Sequence, residues 1–312
     1  MATIAEQLTS LANTKAAIKQ SIIDKGVQVA DTDPFSAYPA KIGQISGGGG
    51  ATTKYGVSID NLLGNVDENG SVQRPETGFI FDGTGIKTIH IDNSFTNRFS
   101  FTNWSRVYFP DLISIGDGSA YIDVGPCYQA FYYALSPSYV SDKIVDLPAL
   151  ESINGQFAAE DMFRFSYISS VNMPKLTTIN GTSAVKCMFA YNKIPQVSLP
   201  SLKTINGSGA AIQMFLDSNV ESVDLSALAT VSGSGACRQM FQNNPNLIRA
   251  DFPSLVSVEA NSFGTTSTNA IFASCTGLTE IHFRADAQAT IEALSAYGVK
   301  FGASSASIFF DL

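Results

Sequence analysis

Between residues 145 and 241 the chain repeats nearly the same text four times. The copies open at Leu147-Pro148-Ala149-Leu150, Met173-Pro174-Lys175-Leu176, Leu199-Pro200-Ser201-Leu202 and Leu225-Ser226-Ala227-Leu228, in steps of 26 residues. Each copy runs on to a Met-Phe pair: Met162-Phe163, Met188-Phe189, Met214-Phe215 and Met240-Phe241. A constant period in this range specifies a solenoid, because one such unit cannot bury its apolar face alone and must stack on its neighbours. A solenoid offers a long surface and no obligatory pocket. The repeat therefore moves the expectation from catalysis toward binding.

Less regular copies flank this core. One begins at Val107-Tyr108-Phe109-Pro110-Asp111-Leu112 and reaches Phe131 through an insert, with 38 residues between Pro110 and Pro148. Another runs from Asp251-Phe252-Pro253-Ser254-Leu255 to Ile271-Phe272. Ile281-His282-Phe283 reads as a further strand, Ala289 to Tyr297 as a helix and Ala306 to Phe310 as a closing strand. Before the repeats, Phe79-Ile80-Phe81, Ile86 to Ile91 and Phe99-Ser100-Phe101 read as strands. Residues 54–106 are expected to form the N-terminal cap with a degenerate first turn.

The full unit reads Phe-x-x-(Asn/Ser/Cys)-x-x-(Leu/Ile/Val)-x-x-(Val/Ala/Ile)-x-(Leu/Met/Phe)-Pro-x-Leu-x-x-(Ile/Val). The alternation at Val197-x-Leu199 is strand periodicity with both residues facing the core. The Asn slot has a physical reason. At a tight inward turn, a buried amide or thiol can bond the neighbouring turn's backbone and satisfy groups that would otherwise be orphaned. Gly-Ser-Gly at 207–209 and 233–235 recurs with the period, so it is a turn device and not a phosphate cradle.

Composition narrows the function classes. Charged residues make up only 15% of the 312, against about a quarter in typical domains. With 19 Lys and Arg against 27 Asp and Glu, net charge −8, no dense basic footprint for nucleic acid exists. No segment approaches the ~18 apolar residues of a membrane span, and the N-terminus shows no signal peptide. Cys127, Cys187, Cys237 and Cys275 form no CxxC pair, so buried reduced thiols are expected and not a metal knuckle or disulfide framework. No cofactor or metal is implied.

The N-terminal segment is organised differently. Residues 3–25 read as one helix, with capping-box spacing between Thr3 and Glu6 and Gly26 placed as its stop. Ile4, Leu11 and Ile18 take d positions of a heptad register, and Leu8, Lys15 and Ile22 take a positions. Two readings stand: a short coiled coil that oligomerises the chain, with Lys15 helping to set register, or an amphipathic helix packed on its own domain. Gly47 to Gly50 form a flexible linker. The expected domains are a helical anchor at 1–46, the linker at 47–53, a cap at 54–106, repeats at 107–283 and a C-terminal cap at 284–312.

Two resemblances follow from these residues. LANTKAAIKQSIIDKGVQVADTDPFSAYPAKI resembles the N-terminal segment common on phage tail-fibre and other virion structural proteins, which implies attachment or oligomerisation within a virion. Residues 107–283 resemble the leucine-rich-repeat family, most closely its BspA-like branch. That resemblance implies an α+β solenoid, a right-handed coil of short parallel strands, and it places Cys275 in the Asn/Cys slot. The chain departs from the family in its Gly-Ser-rich segments. The convex side is therefore expected to be loop or short helix, with Ala210 to Phe215 long enough for about one helical turn.

Little in the chain speaks for catalysis. His90 and His282 are far apart and read as exposed strand residues. Glu160-Asp161 is the one carboxylate pair considered for glycan cleavage. The same slots in later copies are Lys186-Cys187, Ile212-Gln213 and Arg238-Gln239, so a solvated surface pair is expected.

The aromatic residues carry the functional signal. Two residues after each slot Phe the series reads Tyr133, Phe165, Tyr191, Asp217, Asn243, which would stack three rings along one edge. Tyr128, Tyr132 and Tyr139 are expected in the insert nearby, with Tyr167 close. Tyr offers a rigid apolar face with a polar tip and serves binding well. The alternative is that these rings pack under the insert or cap the core. The expectation is a virion protein made in the host cytoplasm, a tail-fibre or receptor-binding component. Other virion proteins would contact residues 1–46, a host-surface glycan or protein would contact the repeats, and the chain would form a homo-oligomer, by expectation a trimer. A capsid decoration, a bacterial adhesin and a glycan depolymerase are the alternatives.

Overall fold

The computed structural model describes residues 14–16, 18–19, 29–30, 34, 54–55, 79–90, 94–97, 99–100, 104–119, 124–133 and 143–312. The chain divides into two compact units, Met1–Thr53 and Lys54–Leu312. In the first, residues 14–16 and 18–19 are helical, so Lys15 and Ile18 lie on helix. Ile4, Leu8, Leu11 and Ile22 of the heptad register, and the glycine linker, lie outside the described residues.

The second unit is a parallel β-solenoid of about eight turns with little helix. Most turns contribute one short strand to each of two rows. The first row begins as a five-stranded sheet of Lys54–Tyr55, Phe79–Asp82, Trp104–Tyr108, Lys143–Asp146 and Ile168–Asn172. Gln196–Ser198 pairs with Ser222–Asp224, and Arg249–Phe252, Glu280–Phe283 and Ser307–Phe310 form a three-stranded sheet. The second row is one seven-stranded sheet: Thr88–Ile89, Ser114–Ile115, Ser152–Asn154, Thr178–Asn180, Thr204–Asn206, Thr230–Ser232 and Ser257–Val258. Register follows the sequence period, with Thr178 opposite Thr204 and Thr204 opposite Thr230. Within the three-residue strands of this row the central Ile or Val is buried between outward hydroxyls and amides, as in Thr204, Ile205 and Asn206. The strand expected from Ile86 to Ile91 is confined to Thr88–Ile89, and residues 99–100 form a turn.

The third side of each turn corrects the α+β expectation. It is neither helix nor irregular loop. Backbone φ turns positive at every fourth residue: Phe157, Asp161 and Phe165 in one turn, Ser183, Cys187 and Tyr191 in the next, then Gly209, Gln213 and Asp217, then Gly235, Gln239 and Asn243. The N–H groups alternate in their use. Those of Phe157, Ala159, Asp161, Phe163 and Phe165 donate to carbonyls of the next turn at 2.7–3.0 Å. Those of Glu160, Met162 and Arg164 bond back to Phe157, Ala159 and Asp161, three residues earlier. An α-helix would direct all these bonds along its own axis. The left-handed residues reset the chain direction, so that half of the bonds run between turns. Ala210 to Phe215 belongs to this turn ladder and makes no helical turn.

The core is a spine of phenyl rings. Phe99, Phe131, Phe163, Phe189, Phe215, Phe241 and Phe272 stack in sequence at 5.2–5.7 Å between centroids. Each is buried, which stabilises by roughly 1.5–3 kcal/mol per ring. At the corner between the second row and the turn ladder, Gly181, Gly207 and Gly233 stack with φ of +123°, +120° and +99°. A Cβ on Gly207 would lie 2.5 Å from the Gly181 carbonyl oxygen, so no side chain fits there. The C-terminal end is closed by a short α-helix, Gln288–Glu292, a 3-10 segment, Tyr297–Gly302, and the strand Ser307–Phe310. The helix is shorter than the expected 289–297. Among the described residues no helix is long and apolar enough to cross a membrane.

Candidate functional site

The last left-handed position of the turn ladder carries the aromatic series. Tyr133, Phe165 and Tyr191 sit there at φ of 52°, 57° and 59°, and Asp217 and Asn243 occupy the same position in later turns. Bulky residues are uncommon in this conformation, which crowds Cβ against the following carbonyl. Inter-turn hydrogen bonds hold it: the N–H of Tyr133 donates to the Arg164 carbonyl, that of Phe165 to Ala190 and that of Tyr191 to Leu216.

The rings form one ledge. Phe165 stacks on Tyr191 at 4.4 Å and 12°. Tyr133 lies 5.9 Å from Phe165, and Tyr132 meets Phe165 edge-on at 5.9 Å. Tyr133 is 45% exposed, at the open end of the ledge. The guanidinium of Arg164 sits 4.9 Å from the Phe165 ring and 5.3 Å from that of Tyr191. Among the described residues Tyr167 makes no ring contact with the group, and Tyr139 lies outside them. The sequence reading places Tyr128 and Tyr132 in the insert, and the structure corrects this. Cys127, Gln129, Phe131 and Tyr133 donate to the next turn like any other ladder segment.

Behind the ledge lies a polar cluster. Glu160 and Asp161 are buried, not solvated as expected. The Nζ of Lys186 donates to Glu160 at 2.6 Å, and the Nη1 of Arg164 and the Nε2 of Gln129 each donate to Asp161 at 3.3 Å. The bond to Glu160 raises the Lys186 pKa above its ordinary value. Burial and the nearby Asp161 and Glu160 raise that of Tyr128, keeping the phenol neutral. Burial pushes the Cys187 thiol up to about 11, so it is not a nucleophile at neutral pH. Cys127, Cys237 and Cys275 are also buried free thiols.

Arg164 was not foreseen as a site residue. Its slot in other turns holds Tyr132, Ala190, Leu216 and Gln242, so the signal was a single basic residue beside the aromatic position. His282 also differs from expectation. It is 6% exposed, stacked on Phe309 at 4.5 Å, with Nδ1 2.7 Å from Asp311. Its neighbour in space comes from the closing strand, which pairs with Glu280–Phe283. His90 is half-buried. Among the described residues no group of three or more His, Cys, Asp and Glu is placed to hold a metal ion.

No protein-family model matches this chain, and no curated protein matches it.

Proposed function

We propose that this chain is a receptor-binding component of a phage virion, of the tail-fibre kind. Its solenoid head would take a host-surface glycan on the ledge of Tyr132, Tyr133, Phe165 and Tyr191. The observation that carries the reading is the placement of three rings at left-handed positions where other turns use Asp217 and Asn243. A ring at such a position holds strain of roughly 1–2 kcal/mol that Asn243 largely avoids, so the rings are not there for the backbone's sake. Aromatic faces with a cation alongside suit the apolar face and the hydroxyls of a sugar ring. Glu160 and Asp161 are engaged by Lys186, Arg164 and Gln129, which supports binding over glycan cleavage. The leucine-rich-repeat reading is supported by the inward Asn and Cys slot. The virion reading rests on the N-terminal segment.

A glycan array probed with the full chain tests the ledge. Tyr191→Asn installs the residue that Asn243 already supplies at this position, so relief of backbone strain offsets the lost ring stack. Stability should stay within about 1 kcal/mol of the parent, and array binding should fall at least tenfold. Undiminished binding would overturn the ledge as the site. Immunogold labelling of virions with an antibody to the head tests the location: gold on the tail supports it, and unlabelled particles would sink it.

A further inference from the structure

A second surface on the turn ladder has the makings of a ligand site, and the tail-fibre reading does not enter its argument. The first left-handed position of successive turns reads Phe157, Ser183, Gly209, Gly235. The side chain shrinks from a phenyl ring to nothing, and a trough of about 420 Å³ opens over the last three. One wall carries the exposed hydroxyls of Thr182, Ser208 and Ser234. The other is Lys186, Ile212 and Arg238. An inserted loop closes the end, where the side-chain oxygen of Asn269 accepts the N–H groups of Thr265 and Thr266 at 2.7 and 2.8 Å.

The two cations differ. Lys186 is engaged by Glu160. Arg238 is exposed and makes no side-chain hydrogen bond or ion pair among the described residues. It lies along the floor, since a Cβ on Gly235 would sit 3.5 Å from its Cβ and 4.0 Å from its Nε. Glu259, one turn on, is bonded to the N–H of Gly233.

We propose that this trough binds an anionic polyhydroxylated chain, an acidic glycan. Its hydroxyls would bond the Ser, Thr and Asn groups, and its carboxylate or phosphate would pair with Arg238. The lining decides the class. A peptide needs apolar pockets for anchoring side chains, and only Ile212 offers aliphatic surface. Single-stranded nucleic acid needs stacking rings and a basic track, and the trough has neither. The planar fork of Arg fits carboxylate and phosphate alike.

Calorimetric titration of the full chain with tetragalacturonate, its methyl ester and a glycerol-phosphate polymer tests this and separates carboxylate from phosphodiester. Binding of either anionic probe is expected, with the methyl ester at least tenfold weaker than the acid if the carboxylate is read. Arg238→Gln should weaken the bound probe at least tenfold. Gly235→Asn should abolish binding while leaving the fold intact, because Asn tolerates φ near +60° and its Cβ meets ordinary contacts at 3.5 Å. Tyr191→Asn should leave the titration unchanged, so that failure at the trough is distinguishable from failure at the ledge. Absence of binding by both anionic probes, or binding that survives Gly235→Asn, would overturn the proposal.

Discussion

The amide of Asn192 shows how much one residue can hold together in this fold. Its Nδ2 donates to the carbonyls of Phe163 and Phe189, both at 2.9 Å, and its Oδ1 accepts from the N–H groups of Ser166 and Ile168. Asn244 repeats the pattern two slots later, with Phe215, Phe241, Ser218 and Val220. Ser166, Ser218 and Cys275 make the shorter version, donating to Phe131, Phe189 and Phe241 of the preceding turn. These five slots thus each satisfy a carbonyl of the phenyl spine on the preceding turn, and each Asn satisfies a second spine carbonyl and two N–H groups. Asn192→Ala would orphan several buried groups at once and should destabilise by about 3–5 kcal/mol. Asn192→Ser keeps the donor and should lose less than half of that, as chemical denaturation would show; equal losses would mean that the amide bonds are not what the slot supplies. This slot is legible in the chain because a polar residue recurs at a fixed place between apolar ones. Most of its partners are not, since Phe163, Ser166 and Ile168 lie 24 to 29 residues away on the neighbouring turn.

At the scale of the element, the turn ladder stands where the Gly-Ser-rich segments led to an expectation of loop or short helix. Its left-handed positions hold Phe157, Asp161, Phe165, Cys187 and Gln213. Apart from Asp, none of these types signals positive φ in a sequence, where Gly, Asn and Asp are the recognised markers. The conformation is imposed by hydrogen bonds between turns and not by local preference, so reading along one strand of text cannot find it. The same ladder buries Glu160 and Asp161, whose slots look variable and polar when the copies are compared. The glycine corner is the opposite case. Gly-Ser-Gly recurs with the period, and the structure shows why: at Gly207 both the left-handed φ and the 2.5 Å approach of Gly181 exclude a side chain. Gly207→Ala should therefore destabilise by more than about 3 kcal/mol. Gly209→Ala, two residues on, where a Cβ would meet only side-chain atoms at 3.4 Å and beyond, should lose only about 1 kcal/mol. Thermal melts of the two variants that coincide would refute the corner argument.

Two properties belong to the whole molecule. The first is the shape of its stability against pH. Lys143 takes a core slot in register with Ile168 and lies 5.2 Å from the Trp104 ring. Burial lowers its pKa from 10.5 to about 8. The folded state therefore releases its proton before the unfolded chain does, and the lysine's contribution rises once pH passes 8. The four buried thiols work the other way. Their pKa values are raised from 9.0, for Cys187 and Cys275 to about 11, so the unfolded chain ionises first and their contribution falls as pH nears 9 and beyond. Between pH 8 and 9 the lysine gains about 1 kcal/mol and the four thiols together lose about as much, so stability should be nearly flat across this interval and decline above it. Lys143→Met should replace the flat interval with a decline that begins near pH 8; a profile that stays flat would have another source. The second property is assembly. A weak ledge gains from copies held close together, because linked sites bind with an effective concentration that can add about 10²–10⁴ in avidity. On the proposed function, the heptad register read in the sequence of the first 25 residues would supply a means of linking, and the solenoid unit begins at Lys54. Light scattering should find the full chain as an oligomer, with a trimer expected, and a chain shortened to begin at residue 51 as a monomer. The shortened chain should keep its affinity for a soluble glycan and lose retention on a glycan-coated surface. An unchanged oligomer after shortening would place the association in the solenoid itself, and the N-terminal helix would then need another role.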